Sequence, residues 1–154
     1  MKIKARFSWL IAIAMTKPFG GNAQDWKVKP VTIQSRWAKE VSPENALKEY
    51  PRPQMARTNW TNLNGLWESA ITVKDAVKPA SFKGRILVTY PLESALSVVK
   101  MALLSSQNLW YKRTFNRPQL KAGEKVKRNF GAVDRQDTVL VNGTQVGEHS
   151  GGYT

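Results

Sequence analysis

The single histidine of this 154-residue chain, His149, stands in Glu148-His149-Ser150-Gly151-Gly152-Tyr153, downstream of Asp134 and Asp137. Those residue types raise three chemistries. A serine–histidine–aspartate relay lacks support, because no G-x-S-x-G elbow occurs and adjacent side chains on a strand point to opposite faces, so His149 and Ser150 diverge. A metal centre is not expected, since one histidine and no cysteine cannot supply a ligand set. The third chemistry is the holding of sugar hydroxyls. Asp134 follows Phe130-Gly131-Ala132-Val133, where the chain must turn, and a carboxylate exposed there can accept two hydroxyl protons. The alternative for Asp134 is a turn aspartate bonded to its own backbone. Gly151-Gly152 lets the backbone approach a ligand closely, and with no phosphate-loop lysine it is not a nucleotide motif. Sugar rings stack on aromatic faces. Of the six tryptophans, Trp60, just before Asn62-Leu63-Asn64-Gly65, is the best placed to be partly exposed, and Tyr153 closes the glycine loop. The carbohydrate-binding candidates are therefore Asp134, His149, Tyr153 and Trp60, with no catalytic residue, no metal and no cofactor.

The elements that must position these residues are strands. Trp67, Ser69, Ile71 and Val73 alternate with Glu68, Ala70, Thr72 and Lys74, the period of two of a half-buried antiparallel strand. Further strands are expected at Ile86 to Tyr90, Leu109 to Phe115, Lys125 to Phe130 and Thr138 to Val141. Asn142-Gly143, set between Val139-Leu140-Val141 and Thr144-Gln145-Val146, predicts a hairpin, because a type I′ turn needs positive φ at both central positions. Short strands separated by turn signals point to an all-β antiparallel sandwich. Upstream, Gln24 to Glu49 is polar and without sustained periodicity, and reads as an N-terminal arm or linker with exposed tryptophans Trp26 and Trp37. Within it Ser42-Pro43 carries the pattern of a helix start.

Length and charge bound the function. One domain with a real core fits in 154 residues, whereas a sandwich plus a (β/α)8 barrel, which alone takes about 250, does not. Lys2, Lys4 and Arg6, the apolar run Phe7 to Met15, and Gly21-Asn22-Ala23 read as a secretory leader over residues 1–23. The apolar run is far short of the roughly 20 residues that span a bilayer, so no membrane span is expected. A periplasmic or extracellular bacterial location follows. With no cysteine, stability must come from sheet packing. The formal charge is +13, and removing Lys2, Lys4, Arg6 and Lys17 with the leader leaves +9. That raises the prospect of polyanion partners, but the cations are scattered and nucleic acid is not favoured.

Five segments, in order, carry a likeness: Tyr50-Pro51-Arg52-Pro53-Gln54, Trp60 to Glu68, Tyr90 to Ser97, Leu109 to Phe115, and Asn129 to Thr154. Together the stretch from Tyr50 to Thr154 resembles the N-terminal sugar-binding domain of glycoside hydrolase family 2, the β-galactosidase and β-glucuronidase-like enzymes. The resemblance implies a galactose-binding-like jelly-roll sandwich over residues 50–154, incomplete at its C-terminal end. It implies O-glycosyl hydrolysis of a β-glycoside by a longer parent whose barrel carries two catalytic glutamates, these residues being inactive alone. It also implies that the loop at Asp134 and the loop after His149 face the sugar. The sequence departs from the family at Lys127-Arg128, where apolar residues are usual, and at Arg135, where tryptophan is usual. On the expected strand, Arg128 shares a phase with Val126 and Phe130 and would point inward, where an unpaired guanidinium costs several kcal/mol. Other readings stay open: a free-standing carbohydrate-binding module, a basic polyanion-binding protein, or a fragment with no role of its own.

Overall fold

The computed structural model describes residues 26–49, 54, 56–133 and 135–151. These form an antiparallel β structure with two small sheets and no α-helix among the described residues; short 3-10 segments lie at Arg36–Glu40 and Ala95–Ser97. The strands are β1 (Gly65–Val73), β2 (Gly84–Val88), β3 (Gln107–Lys112), β4 (Arg135–Val141) and β5 (Thr144–Gly151). One sheet has the order β2-β1-β3, and β4 and β5 make a separate hairpin.

β1 is the longest strand, and the alternation that begins at Trp67 runs through it. It pairs with β2 through Trp67↔Ile86 and Leu66↔Leu87, and with β3 through Ile71↔Leu109 and Ala70↔Trp110. The Trp110 indole donates to Thr72 Oγ1 at 2.9 Å, which ties β3 to β1 on the face opposite Trp67. The core lies against β2 on both faces of this sheet: Ile86 and Leu87 are fully buried, Leu92 nearly so. Burying two such side chains contributes about 1.5–3 kcal/mol each.

Behind β2, residues 92–100 form a compact loop built around one hydroxyl. Ser97 is fully buried. Its Oγ lies 2.7 Å from Ser94 O and 3.0 Å from Leu92 O, sharing its hydrogen between them, and accepts the Val99 N–H at 3.1 Å. This hub holds Val98 and Lys100 at φ of 70° and 53°, a left-handed conformation that costs an L-residue about 1–2 kcal/mol.

The N-terminal arm docks on the sheet instead of running free. Trp26 Nε1 donates to Leu96 O at 3.3 Å, and Lys29 N donates to Ala95 O at 3.2 Å. Further on, Asn64 Nδ2 bonds the Ala46 and Leu47 carbonyls at 3.2 and 2.9 Å, and Asn62 Nδ2 bonds Leu47 O at 3.0 Å. Gly65 makes this contact possible: it is buried at φ 125°, and a Cβ there would stand 3.1 Å from Pro43 O.

Three expectations need correction. Ser42-Pro43 opens a turn, not a helix: Ser42 Oγ accepts Glu44 N and Ser42 O accepts Asn45 N, and the chain then leaves at Leu47 with φ 44°. Lys125 to Phe130 is not a strand; its alternation meets no partner strand among the described residues. Trp26 is half-buried, while Trp37 is exposed as expected, with Arg36 over its ring at 4.4 Å. The Asn142-Gly143 hairpin forms as expected, with φ of 51° and 87°.

Candidate functional site

His149 lies half-buried on β5, directly across from Asp137 on β4. A bulge sets this pairing: Leu140 faces Gln145 but Val139 faces Gly147, so Val146 is the extra residue. Ser150 pairs with Gln136 on the other face, so the strand keeps its side chain apart from that of His149. Asp137 Oδ1 is buried without a hydrogen-bond partner among the described residues. A sequence signal for this pair did exist, since the turn fixes the hairpin and pairing then follows by counting, but the bulge shifts the count by one.

Asp134 and Tyr153 lie outside the described residues. Trp60 is 39% exposed and precedes β1, in the three-stranded sheet's half of the molecule. Among the described residues, therefore, His149 stands on the hairpin and Trp60 on the segment before β1, and at most marginal contact joins the hairpin strands to the other sheet. No cluster of His, Asp and Glu suited to a metal ion occurs among the described residues.

A site that sequence reasoning did not assemble lies around Trp67. Its Nε1 donates to Leu63 O at 2.7 Å, and its ring meets Tyr111 edge-on at 6.4 Å between centroids. Arg128 reaches across from the irregular segment and stands 5.1 Å from the Trp67 centroid and 4.7 Å from that of Phe130. Burial pulls this guanidinium below the ordinary arginine value, and no carboxylate meets it among the described residues. The inward-pointing arginine is thus accommodated by ring faces, which attract cations through their quadrupole. Burial first, and the Glu93 charge second, push the Tyr111 phenol up. With Arg128 on its ring, Trp67 is a structural clamp rather than a sugar platform. On the opposite face of β1, Lys112 makes the one ion pair among the described residues, with Glu68 at 2.9 Å, and covers Phe82 at 5.4 Å.

Two comparisons with known proteins bear on this arrangement. No protein-family model matches the chain. A 47-residue stretch is 36% identical to a β-glucuronidase of Streptococcus agalactiae; it makes up 30% of this chain and 8% of that protein. This is a distant, local similarity. Among the described residues no helix is long and apolar enough to cross a membrane.

Proposed function

We propose that these residues are the N-terminal part of a secreted glycosidase of the β-glucuronidase kind, contributing a sugar-binding wall rather than the cleaving carboxylates. The observation that carries this reading is the 36% identity over 47 residues to a β-glucuronidase, in a chain whose own strands are antiparallel throughout. Residues 1–23 are a secretory leader, 24–49 an arm, and 50–154 a partial jelly-roll sandwich, in a periplasmic or extracellular protein. Asp134, His149, Tyr153 and Trp60 are the residues that touch the sugar. The partner is a β-glycoside together with the barrel of the longer enzyme, and the reaction there is O-glycosyl hydrolysis. The chain spans a small part of the length of the protein it matches, so activity and substrate belong to the whole.

The test is a titration of the purified chain with glucuronides and galactosides, read by tryptophan fluorescence, alongside aryl β-glycoside turnover. Weak saturable binding, lost in Asp134→Ala and reduced in Trp60→Ala, with no turnover, is the expected result. Turnover by the isolated chain that disappears in Asp134→Ala would overturn the proposal, and so would a flat titration.

A further inference from the structure

The ladder between β1 and β2 closes at Ser69↔Gly84, while β1 itself runs on to Val73. The chain that joins them must therefore come back along the sheet. Residues 78–82 return against the face that carries Glu68 and Lys112, and a recess of about 590 Å³ lies between them. Sites for small molecules run to about 300–1,000 Å³. Directly paired residues share a face, so the register sets three charges in a row across this one: Arg85 on β2, Glu68 on β1 and Lys112 on β3. One carboxylate thus stands between two cations. It pairs with Lys112 at 2.9 Å, and Arg85 makes no ion pair among the described residues. Lys78 adds a third cation from the returning loop. Positive charge in such excess at one mouth favours the arrival of an anion.

Pockets for small molecules are mostly apolar with a few polar groups. Here the balance is reversed: an ion pair forms the floor, Lys78 and Ser81 stand on the loop, and the half-buried Phe82 ring is the main apolar surface. Lys112 Nζ stands 5.4 Å from the centre of that ring, so charge and apolar surface lie side by side. A ligand that mirrors this lining carries hydroxyls for Glu68 and Ser81, one apolar C–H face for Phe82, and a negative charge for the surplus cations. We infer that the recess binds an acidic saccharide, its carboxylate or sulfate held by Lys78 and Lys112 and attracted by Arg85. An ammonium has three donors, so Lys112 keeps its bond to Glu68 while it holds the anion, and the carboxylate of Glu68 has lone pairs left for a sugar hydroxyl. This site goes beyond the sugar-binding reading above and shares none of its residues.

The full chain, isotope-labelled, is titrated with galacturonate, a glucose sulfate, glucose and inorganic sulfate, and binding is read from backbone amide shifts. Saturable shifts at Glu68, Lys78, Phe82 and Lys112 are expected with the acidic sugars. Glucose, which has no charge, and inorganic sulfate, which has no ring, should each bind at least about fivefold more weakly. Lys78→Ala should weaken the acidic sugars by about two- to fivefold, the scale of one exposed ion pair. Arg85→Ala serves the same purpose should the first variant lose its native spectrum. Lys121→Ala removes the same charge from a residue that does not line the recess, and should leave affinity unchanged. Binding of one acidic sugar alone would support the inference and identify the anion it takes. Equal binding of glucose or of inorganic sulfate, equal weakening by Lys121→Ala, or no saturable shift would each overturn it. Shifts at His149 and Trp60 alone would also overturn it, and would leave the sugar-binding reading standing.

Discussion

Arg128 shows what a single residue can settle in this molecule. A guanidinium in the middle of an apolar alternation reads as an inward charge, and the structure meets it with the rings of Trp67 and Phe130. A partly desolvated cation–π contact contributes up to about 2 kcal/mol. Arg128→Ala should therefore lower stability by about 1–2 kcal/mol in urea unfolding, with Arg128→Lys in between, because ammonium keeps the charge but loses the flat stacking surface. An unchanged midpoint would mean the contact is idle. Tyr111, edge-on to the same tryptophan, carries a pH signature. Its pKa is raised in the folded state, so the unfolded chain loses the phenolic proton first as pH rises. Its contribution is fully present below the ordinary tyrosine value near 10 and is lost as pH climbs through the folded value. Tyr111→Phe should flatten the alkaline fall in stability and leave neutral pH unaffected.

At the scale of elements, the loop of residues 92–100 depends on the Ser97 hydroxyl. Replacing it with alanine strands the Val99 N–H and releases the two left-handed residues beside it. Ser97→Ala should cost about 1–3 kcal/mol, the usual penalty of a buried polar group left unmade, measurable as a shift in the chemical denaturation midpoint. Nothing in the sequence marked this serine, because its role arises from four backbone groups, of Leu92, Ser94, Val99 and Lys100, that only the folded loop brings together. The strands were far more legible. The alternation from Trp67 to Lys74 pointed to β1, and Asn142-Gly143 pointed to the hairpin. The same rule failed at Val126, Arg128 and Phe130, since alternation states a preference for two faces but does not supply a neighbouring strand. The candidate sugar site was legible only as residue types: His149 lies on the hairpin and Trp60 on the segment before β1, and Asp134 and Tyr153 lie outside the described residues.

As a whole, the molecule is a buttressed three-stranded sheet and a hairpin that leans on it little. Isolated two-stranded hairpins are marginal in water. Amides of β4 and β5 should thus exchange with deuterium well before those of β1 and β2, whose core is fully buried; equal protection would show that the two sheets open together. Because so little else restrains it, the hairpin must choose its own alignment. Val146 is what tips that choice. Continue the pairing from the turn without the extra residue and Asp137 comes to face Glu148, two like charges side by side; with it, Asp137 faces His149. The bulge therefore works as a vernier, because like charges set side by side penalise the slipped setting. Cross-strand proton contacts between residues 137 and 149 should dominate over a 137–148 set, and a chain lacking Val146 should hold the 137–149 alignment with no bulge at all.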